Sequence, residues 1–189
     1  MNWFVFAFIA WLTFGLELAL IPVLDAGSGS VHPSMVMPLM AFVALYAPRK
    51  QTLWAAIMLG IVMDLVSPMA RTDGGSIVVV GPYALGFLLG AHFILAIRGS
   101  LIRRNPLTLV MISIGSAFIT QVVVIAIYTA RNIGTNPLVW DASDQLVQRA
   151  LSSLYTGLSA LALSFLFFAL ASAFGFHSSV PTRFARTIR

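Results

Sequence analysis

Three polar residues sit where such groups are costly. Glu17, Asp64 and Gln121 each fall inside a long apolar run. A carboxylate in such a run persists mostly where it faces a bundle interior, a water-filled cavity or a partner. Two acids could in principle move protons to and from a substrate. No motif around them specifies such a reaction, however. The sequence contains no HExxH, no GxSxG, no nucleotide-binding glycine loop and no metal-ligand spacing. Binding or packing is therefore expected, with no catalytic role and no cofactor. Asp64 closes the run Gly60-Ile61-Val62-Met63-Asp64, and Ala56, Gly60 and Asp64 recur every fourth residue. On a helix this makes a small-residue stripe, along which another backbone could approach the carboxylate.

The elements that must hold these residues follow from composition. Of 189 residues, 59% are hydrophobic and 9% charged, against about 25% charged in soluble proteins. Such a chain reads as an all-α integral membrane protein, one six-helix domain over residues 1–176 followed by a basic tail, 177–189. Alternating segments of about ten residues, which a membrane β-barrel needs, are not seen. The expected spans are 3–24, 31–47, 52–67, 77–97, 107–130 and 151–174. The first run has no Lys or Arg before it and is long enough to be a retained span rather than a signal peptide. Pro33 suits a helix start, whereas Pro38 predicts a kink within the second span. Asp141-Ala-Ser-Asp144 resembles a helix start, which would extend the sixth helix outward as a stem, with Trp140 at the interface. No internal repeat and no second domain is visible.

The formal charge of +5 is not a nucleic-acid footprint. Arg49, Lys50, Arg98, Arg103, Arg104, Arg183, Arg186 and Arg189 fall on the side of the termini. Only Arg71, Arg131 and Arg149 fall opposite, with Asp25, Asp73, Asp141 and Asp144. This bias predicts a multi-pass membrane protein with both termini in the cytoplasm and its tail against lipid headgroups. The chain has no cysteine, which excludes disulfides and thiol chemistry.

Counted from the cytoplasmic side at about 1.5 Å per residue, Asp64 lies about 18 Å deep, and Glu17 and Gln121 about 21 Å. If the first, third and fifth helices adjoin, the three could form one polar cluster, with Arg71 or Arg131 as counter-charge. The alternative is that each is hydrogen-bonded separately. Gly86 and Gly90 form a GxxxG continued back to Gly81-Pro82, and Ser153, Gly157, Ala160 and Ser164 give the last helix a similar face. Packing within the chain is the first expectation for both faces, self-association the second. His92, with no second His near it, reads as a bundle residue rather than a proton relay.

Taken in order, these residues resemble the MreD family, the six-span membrane component of the bacterial cell-elongation machinery. The likeness runs from His32-Pro33 through Ala44-Leu45-Tyr46-Ala47-Pro48 to Gly60-Ile-Val-Met-Asp64, and ends in Gly81-Pro-Tyr-Ala-Leu-Gly-Phe. The segment Pro68–Ser76 looks longer than the family pattern. The resemblance implies a non-catalytic scaffold that docks an MreC-like protein. Through it the chain would serve a RodA-type glycosyltransferase, a class B penicillin-binding transpeptidase and MreB filaments in peptidoglycan synthesis. The family's fold is similar to the six-helix substrate-binding component of energy-coupling-factor transporters. That implies an alternative, a subunit that binds a small, vitamin-like molecule near Asp64, Glu17 and Gln121.

Overall fold

The computed structural model describes residues 1–24, 31–70, 75–102, 105–132 and 142–176. Among them are six helices: α1 (Trp3–Leu24), α2 (Val36–Tyr46), α3 (Arg49–Val66), α4 (Pro82–Ile97), α5 (Pro106–Asn132) and α6 (Ala142–Leu170). A short antiparallel hairpin, β1 (Met69–Ala70) and β2 (Ser76–Ile77), stands between α3 and α4 and pairs Met69 with Ile77. The segments Asp25–Ser30, Arg71–Gly74, Arg103–Arg104 and Ile133–Asp141, and the tail from His177, lie outside the described residues. So do the roles expected of Trp140, Arg71 and the tail arginines.

The bundle is built around its shortest helix. Every residue from Val36 to Leu45 is buried, as expected of a helix that is apolar all round. α2 touches each of the other five helices, while α3, α4, α5 and α6 pack in sequence around it. α1 packs on α2 and leaves Phe4, Phe8 and Trp11 exposed. Three helices, α1, α5 and α6, are long and apolar enough to cross a membrane. At 1.5 Å per residue, α2 is only about 16 Å long and α4 about 24 Å.

Local chemistry sets the boundaries. Asn2 Oδ1 accepts from Phe4 N to open α1, and Asn105 Oδ1 accepts from Leu107 N to open α5. Pro82 and Pro106 occupy first-turn positions where no N–H is needed. At the far end of α2, Arg98 Nη1 donates to the carbonyls of Ala44 and Ala47. Phe42 there stacks with Phe167 and meets Phe174 and Phe176 edge-on. Asn2 N donates to Phe174 O and joins the two ends of the described chain.

Three expectations change. The second span begins as non-helical chain over 31–35, and its helix starts only at Val36. Pro38 consequently falls in the first turn of α2, where its missing N–H removes no helical bond, and it makes no mid-span kink. The fourth helix begins at Pro82, not at Ile77, which pairs in β2. The sixth begins at Ala142, so the early start, not the later one at Leu151, is realised.

Candidate functional site

Asp64 stands near the end of α3, 1% exposed, with the first turn of α4 against it. Its Oδ2 accepts from Gly81 N at 2.8 Å and Ala84 N at 3.2 Å, and its Oδ1 from Tyr83 N at 2.8 Å. A negative group on the free N–H groups of a helix start is favoured both by hydrogen bonding and by the helix dipole. Gly60 makes the approach possible: a Cβ there would lie 2.4 Å from Ala84 Cα and 2.8 Å from Tyr83 O. Gly81 contributes differently. Its φ of 131° is a conformation for glycine, and the space beside it is open. The expectation that Gly81 packs helix on helix is therefore replaced by a conformational role. The stripe of Ala56, Gly60 and Asp64 does receive a backbone, but that backbone is the chain's own α4.

Glu17 repeats the arrangement at α2. It is 2% exposed, and its Oε2 accepts from Met35 N, from Val36 N at 2.9 Å and from Ser34 Oγ at 3.2 Å. Its Oε1 is buried without a hydrogen-bond partner. Ser34 is held in turn by α6: its N donates to Thr156 Oγ1, and its carbonyl accepts from Ser159 Oγ.

Gln121 meets neither acid by hydrogen bond. Its Oε1 accepts from Arg149 Nη1 at 2.6 Å, and the same nitrogen donates to Tyr83 Oη at 3.0 Å. Arg149 Nε donates to Gln145 Oε1. The cation beside Gln121 is thus Arg149 of α6, whereas Arg131 is exposed in the last turn of α5. Helices α1, α3 and α5 do not form the adjoining trio that a single cluster required. Glu17, Asp64 and Gln121 are bonded separately, as the alternative had it.

Two of the three nevertheless border one space. A cavity of about 240 Å³ lies among the helices, with Glu17 and Gln121 in its wall and Asp64 behind Tyr83. Arg149, Ser152 and Thr156 of α6 make its polar side, and Met37, Met63 and Phe87 its apolar side. Arg149 went unrecognised in the sequence because it was counted as a loop charge. Gln145, Arg149, Ser152 and Thr156 recur at helical spacing, a polar stripe on one face of α6 that could have identified it. Among the described residues, no cluster of three His, Asp or Glu is placed to hold a metal.

The remaining small residues seat helices within the chain. A Cβ on Gly86 would meet Thr120 Cγ2 at 2.7 Å, and one on Gly90 would meet Ser116 O at 3.2 Å, which presses α4 onto α5. Gly157 faces Ile114 in the same way, whereas Ser153 Oγ donates to Arg149 O within α6 itself. His92 is exposed beside Arg49.

Comparison with protein-family models, curated proteins and solved structures gives no match. The geometry therefore carries the functional argument. It shows two acids bonded to helix starts and a cavity, polar on one side and apolar on the other, with Glu17 in its wall.

Proposed function

We propose that the chain is a non-catalytic scaffold of the bacterial cell-elongation machinery, an MreD-like protein that docks an MreC-like partner in the inner membrane. One observation carries the reading. Gly60, Asp64 and Gly81, three of the residues on which the resemblance rests, meet in a single joint between α3 and α4. An acid consumed in this way is a structural element, which suits a scaffold better than an enzyme. It also moves the docking surface. With the Gly60–Asp64 face filled by α4, a partner's transmembrane helix would lie on the outer faces, and α1, with Trp11 70% exposed, is the least covered helix.

On this reading all six helices belong to the membrane domain, with both termini in the cytoplasm. The chain would reach the RodA-type glycosyltransferase, the transpeptidase and MreB through its MreC-like partner. The absence of cysteine makes topology simple to test: a single Cys at Ser100 should be labelled from the cytoplasm and one at Ser143 from outside. Mild-detergent purification should recover an MreC-like protein. Its absence, together with undisturbed cell shape on deletion of the gene, would refute the scaffold.

The cavity favours a second reading, a small-molecule-binding subunit of an energy-coupling-factor type transporter. Copurification of a pair of ATPase subunits in place of the MreC-like protein would select it.

A further inference from the structure

We propose that two copies of this chain pair through α6, along a row of apolar side chains on its outer face. The pairing goes beyond the scaffold reading and requires only that α6 lies in a bilayer.

Val147, Leu151, Leu154, Leu158, Leu161 and Phe165 follow one another in steps of four and three. Each is exposed, between 39% and 66%. Ala162 apart, every other residue from 147 to 165 is buried or half-buried. The open face of α6 is thus a row about one side chain wide. A strict alternation of four and three is a period of 3.5, the repeat of a coiled-coil seam, in which each side chain enters a hole between residues of a facing helix. Acyl chains are as apolar as leucine and impose no such period. The other long helices lack it. On α5 the exposed apolar residues from 107 to 122 are Leu107, Met111, Phe118 and Val122, with a gap of seven at the centre; on α1 the exposed face is broad and takes in Phe4, Phe8, Trp11 and Leu12.

The row also outruns the hydrocarbon. α6 has 29 residues, about 43 Å of helix, against about 30 Å or about 20 residues for the acyl region. Counted back from Leu170, this leaves Val147 and its exposed neighbour Leu146 beyond the acyl chains, where a second helix can cover them and lipid tails cannot. One step further out stands Asp144, exposed, which ends the row.

The occupant that fits is a second copy. Two copies inserted with the same topology are related by a two-fold axis along the membrane normal, which sets α6 parallel to α6 and each side chain of the row opposite itself. Side chains of one size then meet holes of one size along the whole seam. The row offers on the order of 600 Å² per copy, and the half-buried side chains beside it bring this toward the roughly 800 Å² a side of a stable pair.

The chain has no cysteine, so single substitutions report the contact in the membrane with the full-length protein. Leu151→Cys, Leu154→Cys, Leu158→Cys and Leu161→Cys should each give a disulfide-linked dimer on oxidation with copper phenanthroline. Tyr155→Cys, on α6 beside the row, and Leu89→Cys, exposed on α4, should give none above random collision, because a disulfide needs Cα atoms within about 7 Å. Leu154→Ala combined with Leu158→Ala should raise the dissociation constant of the detergent-solubilised dimer at least about tenfold. Both side chains face outward, so the thermal midpoint of the diluted monomer should not move. Equal linking from row and control positions, no linking from the row, or linking of the row to a different polypeptide each overturns the proposal. Recovery of an MreC-like protein is scored separately, so the scaffold reading can fail while the pair survives.

Discussion

Gly60→Ala should loosen the bundle although it adds one methyl group to a helix. The new Cβ would sit 2.4 Å from Ala84 Cα, 2.8 Å from Ala84 N and 2.8 Å from Tyr83 O, all backbone atoms that cannot swing aside. Ordinary contact begins near 3.4 Å, so α3 and α4 must part by about 1 Å. The same movement takes the 2.8 Å bonds from Gly81 N and Tyr83 N to Asp64 beyond hydrogen-bond range. Overpacking costs about 1–3 kcal/mol, and weakened bonds to a charged group about 1.5–3 kcal/mol. Alanine's better helix propensity returns about 1 kcal/mol. The net loss is about 1.5–5 kcal/mol, a fall in thermal midpoint on the order of 10 °C. Thermal unfolding of the detergent-solubilised protein measures it, with Gly15→Ala as control, since nothing lies within 4 Å of that Cβ. Equal midpoints for Gly60→Ala and wild type would refute the joint.

The other glycines should rank by what they face. Gly86→Ala meets the Thr120 side chain at 2.7 Å and its carbonyl at 3.0 Å, whereas Gly90→Ala meets nothing nearer than 3.2 Å; the expected order of destabilisation is Gly60, Gly86, Gly90 on the same melting assay. Gly81→Ala has open space yet carries a φ of 131°, so a loss of about 1–3 kcal/mol there would come from backbone strain alone; an unchanged midpoint would remove that role. Asp64→Leu removes the acceptor of three N–H groups and should cost more than Asp64→Asn, which keeps one oxygen, and hydrogen exchange at the start of α4 should rise in the same order. Glu17→Leu should likewise expose the start of α2 to exchange more than Glu17→Gln does.

Apolar patterning located all six helices to within a few residues at most ends. The misplacements have one cause. The segment Val31–Met35 and the residues before Pro82 are apolar enough to be taken for helix, but each lies ahead of a helix start fixed by an acid far away in sequence. Hydropathy reads local composition and is blind to such a partner. Asp64 and its stripe were legible because intramembrane carboxylates are rare and small residues at i, i+4 have one geometric meaning. That the approaching backbone is α4 was not legible. Periodicity states that a face is open to a close neighbour without saying which neighbour. Arg149 was misread for a related reason: near a helix end, a cation at the surface and a cation turned inward have the same local sequence.

The two acids share one physical task. Glu17 reaches Val36 N and Asp64 reaches Tyr83 N, each across 19 residues, from a longer helix to the start of the shorter one that follows. Both shorter helices, of 11 and 16 residues, start against buried neighbours, Met35 and Val36 in one and Pro82 and Tyr83 in the other. The first N–H groups of such a helix have no carbonyl partner within it, and a buried donor left bare costs about 1–3 kcal/mol. A carboxylate accepts two or three of them at once and offsets the end charge of the helix. In exchange, the desolvated acid is stable only while that helix start is in place. The pairing therefore runs both ways, which accounts for charged residues held in the interior of the bundle.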